Sequence, residues 1–369
     1  MEVVVLRGGG HIAELRLTPS AGPSINCLWA APWPTADPGH SEQPALARAY
    51  GGGAAGPFLA GYTGHALCLD AFGHPSHVEA ALGVPLHGEA GVRNWNCEET
   101  SNGCVCRVGL PVARLTFQRE ISLAAKSAVI FVEERVANRN DAEREIHWVQ
   151  HVSLGPPLLL GSQSSIHASL DRGITWPNGY EGHELLPDNA AFDWPLAPML
   201  EGEFLNLEIP FWRRGFGFVG AARVKTVGEF GWIAAMNWGL GIALVYCFRR
   251  EDFPWVAVWE ENSARTAEPW NSVTQVRGME FGTTPMPLGR EGIKKLGSLF
   301  DTPSLRVLAP EASLSARYMA CIARIPESWR TITDVVPAQR GLKITGPGNE
   351  TVTIAADGLG DFLKGTAKG

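Results

Sequence analysis

The chain has 369 residues, of which 45% are hydrophobic and 19% charged, with 42 glycines and 26 prolines. This composition predicts an ordered globular protein with many turns. The formal net charge of −7 and the lack of any run of Lys or Arg argue against binding to nucleic acid and favour a neutral, hydroxylated ligand. No apolar stretch reaches the length needed to cross a membrane, so no membrane partner is expected.

The start of the chain and the cysteines predict a cytoplasmic location. The apolar run Val3–Leu6 is too short for the core of a signal peptide. The seven cysteines are an odd number, and Cys104 and Cys106 alternate along a strand-like run. We therefore expect reduced, packed thiols and not a disulfide framework.

Strand signals dominate the chain, because β-branched and aromatic residues recur in short alternating runs bounded by Gly, Pro, Asn or Asp. A capping box from Ser76 to Glu79 predicts one short helix. No long helix separates the strands, which argues against a parallel sheet. We predict an all-β fold, a large antiparallel β-sandwich with few short helices. The runs are 10–17, 103–109, 112–120, 127–137, 230–237, 241–248, 254–260 and 312–323.

The chain is predicted to contain one large sandwich domain, residues 1–323, and a small C-terminal part, residues 324–369, packed on it. Within the C-terminal part, Gly341–Thr345 and Thr351–Ile354 flank GPGNE as a hairpin. Segment 155–205, with WPNGYEG, LLPDN and FDWP, is expected to form a long loop at the rim of the sheets, where binding residues are often displayed.

Three histidines are candidates for chemistry. His87 lies beside glycines in LHGEAG, so it is either a ligand contact or an ordinary surface histidine. His147 and His151 are four residues apart, a spacing that on a helix resembles half of a zinc site. On a strand the same spacing spans roughly 13 Å, so we expect no shared metal. His151, followed by SLGPP, is expected to point into a pocket.

Aromatic and acidic residues cluster in the last third of the chain. Sugars present apolar C–H faces and hydroxyl edges, so aromatic platforms such as Trp259 and convergent carboxylates suit a sugar pocket. Most of the thirteen tryptophans are expected to be core residues. Glu260 and Glu261 are adjacent and face opposite sides of a strand, so one is expected to face solvent. Glu280, which stands in the glycine-flanked segment GMEFG, is the stronger functional candidate.

Four segments taken in order resemble the aldose epimerase family of the galactose mutarotase-like superfamily, especially its less characterised bacterial branches. They are LHGEAG at 86–91, HVSLG at 151–155, FDWP at 192–195 and GMEFGTTP at 278–285. The resemblance covers about 60–320 and implies a large β-sandwich of the mutarotase type, with a sugar lying across a concave sheet.

The resemblance also implies roles for individual residues. His151 matches the strand histidine used as general acid, and Glu280 the late glutamate used as general base. His87, Arg93 and Asp193 match positions that hold the sugar, beside the aromatic platform of Trp259. Such a pair opens and recloses a hemiacetal ring without a metal or organic cofactor. The family usually has Asn-His-x-Tyr-Phe-Asn around the acid, whereas this chain has QHVSL, so the resemblance does not identify the sugar.

Three functional hypotheses therefore stand. The first is an aldose epimerase acting on a small sugar or sugar derivative. The second is a non-catalytic sugar-binding or regulatory protein with the same fold. The third is a polysaccharide lyase or hydrolase, although hydrolysis requires two carboxylates that face each other across the scissile bond. Convergence of His151 and Glu280 is the observation that separates them, because without it the first and the third both weaken.

Overall fold

The computed structural model describes residues 1–18, 24–37, 48–211 and 213–365. The elements of its first half are β1 (Glu2–Val5), β2 (Ile12–Leu17), β3 (Ile25–Asn26), α1 (Gly56–Gly61), β4 (His65–Asp70), α2 (His77–Ala81), β5 (Asn96–Thr100), β6 (Gly103–Leu110), β7 (Leu115–Leu123), β8 (Val129–Asn138), β9 (Arg144–Leu154), β10 (Ser164–Ala168) and β11 (Leu170–Thr175). The second half contains β12 (Ala191–Asp193), β13 (Leu196–Pro198), β14 (Phe204–Asn206), β15 (Phe216–Val224), β16 (Phe230–Asn237), β17 (Ile242–Arg249), β18 (Trp255–Asn262), β19 (Gln275–Gly282), α3 (Gly289–Leu296), β20 (Ser298–Leu299), β21 (Thr302–Pro303), β22 (Arg306–Leu308), β23 (Ser313–Arg324), β24 (Asp334–Ala338), β25 (Gly341–Thr345), β26 (Thr351–Ala355) and α4 (Leu359–Lys364).

Two large sheets form the body of the structure. The first sheet has the order β1-β2-β4-β9-β19-β18-β15-β11-β12-β13-β14, with β3 beside β2 and β22 beside β9. The second has the order β10-β16-β17-β23-β8-β7-β6-β5. Neighbouring strands in both sheets run antiparallel. The predicted all-β antiparallel sandwich with few short helices is confirmed.

Alternation of side chains along each strand builds the main core between the two sheets. In β7, Leu115, Phe117, Arg119 and Ile121 point inward, and the residues that alternate with them are exposed or half-buried. In β9, Trp148 and Val152 enter the same core from the first sheet. Val149 and His151, which alternate with these core residues, point to the opposite, concave face of the first sheet, and that face carries the site described below.

The second sheet is covered on its outer face as well, which explains why β17 is apolar almost without interruption. Its residues Val245 and Cys247 contact a second core that includes Trp329, Leu342 and Leu359 from the C-terminal part of the chain. There β24, β25 and β26 form a three-stranded sheet followed by α4. The expected hairpin corresponds to β25 and β26, and β24 extends it. The domain boundary at 323 and 324 stays a prediction.

Two other expectations need correction. Cys97 and Cys106 lie directly opposite each other on β5 and β6 and form a disulfide, so Cys106 is not a reduced thiol. Their facing positions put both side chains on one side of the hairpin, a proximity that the pattern of Cys104 and Cys106 alone did not reveal. Segment 155–205 is also more regular than a loop, because it contains β10 to β14 and only the β11–β12 connection is long.

A charged cluster is buried between the sheets. Glu134 of β8 accepts hydrogen bonds from Arg119 Nε at 2.6 Å, Trp148 Nε1 at 2.9 Å, Gln150 Nε2 at 2.6 Å and Tyr318 Oη at 3.1 Å. All of these side chains are buried. Trp148 and Gln150 belong to the first sheet and the other three residues to the second, so the cluster joins the two sheets. In the described part of the chain, no helix has the length and apolar character to cross a membrane.

Arg119→Met is expected to lower the free energy of unfolding by about 3–5 kcal/mol, because it leaves the Glu134 carboxylate buried without its cation. Urea unfolding followed by tryptophan fluorescence measures this change. Arg107→Met is the matched control, since Arg107 makes an exposed ion pair with Glu98 on the same sheet and should shift the midpoint little. Equal effects of the two substitutions would contradict the proposed role of the cluster.

Candidate active site

The concave face of the first sheet brings together residues from β9 and β19. The register of these strands places Gly278 beside Ser153 and Phe281 beside Gln150, so Glu280 stands across from His151. Since Gln150 and Phe281 point into the core, the alternation along the strands turns His151 and Glu280 to the other side. The sequence therefore fixes which face each side chain occupies once the strands are paired.

A cavity of about 480 Å³ opens on this face, within the size range of small-molecule sites. Its walls come from α1, the β11–β12 loop and the β18–β19 loop, and they are rich in aromatic rings. The aromatic lining residues are Phe58, Tyr62, Trp176, Tyr180, Trp259 and Trp270. The polar ones include His87, His151, Glu181, Arg265 and Glu280.

His151 and Glu280 form a close pair in this cavity. His151 Nε2 lies 3.3 Å from Glu280 Oε1, and the two side chains are only 5% and 3% exposed. On the other side of the ring, His151 Nδ1 lies 3.3 Å from both Tyr62 Oη and Ser153 Oγ. A hydroxyl can donate or accept a hydrogen bond, so these partners are compatible with either tautomer of the imidazole.

Burial controls the protonation of this pair. It raises the pKa of the Glu280 carboxyl well above its usual range, and it lowers the pKa of His151 to about 3. Burial therefore favours the state in which one proton rests on the carboxyl and the imidazole is neutral. Transfer of that proton across 3.3 Å gives the alternative state with a carboxylate and an imidazolium. The arrangement is suited to moving a proton to and from a ligand.

His87 presents a hydrogen-bond donor in the same cavity. It has a positive φ of 64° and precedes Gly88, whose φ is 82°, so the chain turns sharply here. Its ring centroid is 5.3 Å from that of His151. Burial lowers the pKa of His87 well below its usual value, so the ring is neutral. Its Nδ1 accepts a hydrogen bond from Gly73 N–H at 3.2 Å, which leaves the proton on Nε2.

The structure brings four of the six sequence-predicted site residues together. His87, His151, Trp259 and Glu280 all line the cavity. Their roles in binding and catalysis stay predictions. For His151, Trp259 and Glu280 the alternation along a strand predicts the face, whereas His87 lies in a glycine-rich turn.

Arg93 and Asp193 do not line the cavity. Arg93 follows a short 3₁₀ turn, has a 39% exposed side chain and pairs with Glu89 at 3.4 Å. Asp193 is exposed on β12, beside Arg172 of β11. In the first sheet β12 is separated from β19 by β18, β15 and β11. We therefore leave Arg93 and Asp193 out of the candidate site.

Several residues that line the cavity, or that contact His151 from beside it, were not found from the sequence. Ser153 could have been, because it lies two residues after His151 and shares its face of β9. Tyr62, Tyr180 and Arg265 stand in loops or at a helix end, where no periodicity marks the direction of a side chain. They reach the cavity only because the chain returns over the concave face at these points.

Glu260 and Glu261 also differ from expectation, because both are buried and neither faces solvent. Glu260 lies on the core side and pairs with buried Arg277. Glu261 lies on the cavity side and accepts a hydrogen bond from Tyr180 Oη at 2.9 Å. Each carboxylate thus has a partner that sequence spacing did not reveal. No group of three or more metal-ligating side chains lies close enough together among the described residues to hold a metal ion.

Comparison with known proteins gives a match in fold. No family model matches the chain, and no curated protein matches its sequence. A crystal structure of an aldose 1-epimerase candidate from Klebsiella pneumoniae superposes with a TM-score of 0.59 at 16% identity, over 88% of this chain and 77% of that one. A second such candidate, from Escherichia coli K12, gives a TM-score of 0.54 at 13% identity, over 88% and 96%.

A third solved structure, an aldose epimerase homologue from C. elegans, gives a TM-score of 0.52 at 10% identity, over 88% of this chain and 95% of that one. Likeness at such identity concerns the fold. The chain shares the β-sandwich fold of these three proteins, and the fold that the sequence resemblance implied is confirmed.

Glu280→Gln is expected to stabilise the protein, and the gain in Tm should grow as the pH rises. The folded state keeps the Glu280 proton, whereas the unfolded chain releases it above its ordinary pKa of 4.5. Wild-type stability from this group is therefore present below that pH and is lost as the pH rises towards the folded-state pKa. A glutamine has no such dependence. Thermal unfolding from pH 4.5 to 8 measures the difference.

Glu120→Gln, on the exposed side of β7, is the control for this experiment. It removes a carboxylate from an exposed site, so its Tm difference from wild type should change less with pH. A Tm difference for Glu280→Gln that stays constant or shrinks with rising pH would show that Glu280 is ionised in the folded protein.

Proposed function

We propose that the chain binds a small sugar in this cavity and catalyses opening and reclosing of its hemiacetal ring, as an aldose epimerase does. The observation that carries the proposal is the buried contact of 3.3 Å between His151 Nε2 and Glu280 Oε1 in the cavity. The ring oxygen and the anomeric hydroxyl are bonded to the same sugar carbon. An acid and a base that serve these two oxygens must therefore lie side by side.

In the proposed reaction Glu280, as the carboxylate, takes the proton of the anomeric hydroxyl. The bond between C1 and the ring oxygen breaks, its electrons pass to the ring oxygen, and the His151 imidazolium supplies the proton that this oxygen needs. C1 becomes an open-chain carbonyl. After rotation about C1–C2 the two groups exchange roles and the ring closes on the other face, so the protein ends in its starting protonation state.

The single shared proton suits this cycle. The resting pair holds its proton on Glu280, because burial disfavours charge in both groups. Sugar hydroxyls that donate hydrogen bonds to the carboxylate stabilise its ionised form, and the proton then moves to His151. The same total number of protons serves the resting and the reactive states, so the reaction needs no metal or organic cofactor in this scheme.

Other lining residues support a sugar as the ligand. Trp259 offers an aromatic face 5.9 Å from the His151 ring, and aromatic faces pack against the C–H surfaces of sugars. His87 Nε2–H is free to donate to a sugar oxygen. The aldose epimerase names of the Klebsiella and Escherichia structures agree with this proposal. A hydrolase is a weaker hypothesis, because Asp193, its second carboxylate, lies outside the cavity.

The proposal predicts a loss of rate without a comparable loss of binding. A panel of reducing sugars is first screened by thermal shift, and anomer exchange of each hit is followed by NMR. Glu280→Gln should slow exchange by about 10²–10⁴-fold while Kd stays within a few-fold, because the amide cannot accept the anomeric proton. His151→Asn should have a similar effect through loss of the acid. Glu120→Gln on the opposite sheet controls for general effects.

Two outcomes would contradict the proposal in different ways. Wild-type exchange by Glu280→Gln would show that another group is the base. A sugar that binds to the wild-type protein without any acceleration of exchange would identify a non-catalytic sugar-binding protein on this fold.

A further inference from the structure

Arg265 lies in the wall of the same cavity, close to Trp259. Its Cζ atom is 6.0 Å from the centroid of the Trp259 ring, and the His151 ring is 5.9 Å from that centroid. A sugar that packs on Trp259 with its C1 at His151 and Glu280 therefore has Arg265 within reach of its other hydroxyls. Sequence reasoning had assigned no role to this arginine.

The guanidinium of Arg265 makes one hydrogen bond and lies near a second carboxylate. Its Nε donates to Glu181 Oε1 at 3.0 Å. Nη1 is 3.8 Å from Glu261 Oε2, which is an ion-pair distance too long for a hydrogen bond. The guanidinium group also lies near two aromatic rings, with its Cζ 4.6 Å from the centroid of the Tyr180 ring and 5.1 Å from that of the Trp270 ring. Aromatic contacts of this kind fix the orientation of the fork.

The two terminal nitrogens of Arg265 have no hydrogen-bond acceptor among the residues that the structure describes. The side chain is 22% exposed, and it lines the cavity. Its neighbours in the wall are already paired, because Trp259 Nε1 donates to Tyr180 Oη at 2.8 Å and Tyr180 Oη donates to Glu261 Oε2 at 2.9 Å. Arg265 therefore offers free N–H groups to a ligand in this wall.

A guanidinium fork binds two oxygen atoms side by side, as in a carboxylate, a phosphate or a pair of adjacent hydroxyls. The charges around Arg265 favour the pair of hydroxyls over the carboxylate and the phosphate. Glu181 and Glu261 both lie within 4 Å of the guanidinium, so two carboxylates surround one cation. Glu261 also accepts hydrogen bonds from the Ala264 and Arg265 N–H groups, which fix the position of its carboxyl group beside the guanidinium. An anionic ligand would meet net repulsion at this place.

We propose that Arg265 binds two adjacent hydroxyls of the sugar at the end away from C1, and that Glu181 and Glu261 make this subsite select uncharged sugars over sugar acids and sugar phosphates. The proposal rests on the sugar-binding part of the proposed function and adds the chemical class of the substrate. It needs no catalytic step, so binding alone can test it.

The test uses NMR titration with three probes for each of glucose, galactose and mannose: the free hexose, its uronic acid and its 6-phosphate. We expect the wild-type protein to bind one free hexose at least about 10-fold more tightly than the two anions derived from it. Arg265→Met should weaken that hexose by about 10–100-fold, the usual worth of hydrogen bonds to a charged group. Arg265→Lys keeps the charge and loses the fork, so it should restore only part of the affinity.

Glu181→Gln tests the charge argument separately. It removes one of the two carboxylates, so binding of the uronic acid and the 6-phosphate should improve relative to the free hexose. Arg107→Met, on the far sheet, is the control, and thermal unfolding checks that each variant is folded. Tighter wild-type binding of either anion, or unchanged hexose binding by Arg265→Met, would overturn the proposal.

Failure of the Arg265 subsite can be told apart from failure of the proposed epimerase function. Hexose binding that depends on Arg265 in a protein that does not accelerate anomer exchange would keep the subsite and refute the epimerase. Anomer exchange that requires Glu280 but does not change in the Arg265 variants would support the epimerase and refute the subsite.

Discussion

The candidate site depends on the alternation of side chains along β9 and β19. In each strand one set of residues closes the core between the sheets, and the residues between them point to the concave face. His151 lies between Gln150 and Val152, which are both buried in the core. A slip of one residue in the pairing of β9 would turn His151 inward and Gln150 outward. Correct pairing of the first sheet is therefore a condition for the His151–Glu280 contact.

The buried cluster around Glu134 contributes to that pairing. Gln150 donates to Glu134 and accepts from His65 of β4. A shifted register would leave these buried polar groups without partners, at a cost of about 1–3 kcal/mol for each group. The hydrogen bonds of Gln150 therefore stabilise the register that places the next residue, His151, on the concave face. Chemistry on the concave face and polar packing in the core are linked through neighbouring positions of one strand.

The sequence predicted the sandwich because its evidence is local. Alternation over short runs marks strands such as Phe230–Asn237, which the structure reproduces with the same bounds. Ser76 and Glu79 likewise form the predicted capping box, because its hydrogen bonds join residues three apart. The order of strands in the sheets depends on contacts between distant segments, and here the resemblance to a known family supplied what periodicity could not.

The same distinction explains which site residues were found. His151 and Glu280 lie on strands, so alternation gives their side and pairing gives their distance. Asp193 stood in a segment resembling the family, but β12 lies towards the far edge of the first sheet, and resemblance over four residues does not determine sheet order. Arg265 and Glu181 come from two loops that meet over the sheet, 84 positions apart in sequence. Their pairing required the whole fold and left no local signal.

The distribution of charge in the cavity follows from the cost of burial. Beside Trp259, His151 and Glu280 hold one proton between two groups and avoid net charge, since an isolated ion at such depth is expensive. At Arg265 charge is tolerated because the guanidinium is partly exposed and has carboxylates on both sides. The His151–Glu280 pair thus holds a mobile proton, and the Arg265 guanidinium supplies hydrogen-bond donors in a fixed orientation. An uncharged ligand rich in hydroxyls suits both parts of the wall. A hydroxyl can donate a hydrogen bond to Glu280 and accept one from Arg265, and it adds no third anion beside Glu181 and Glu261.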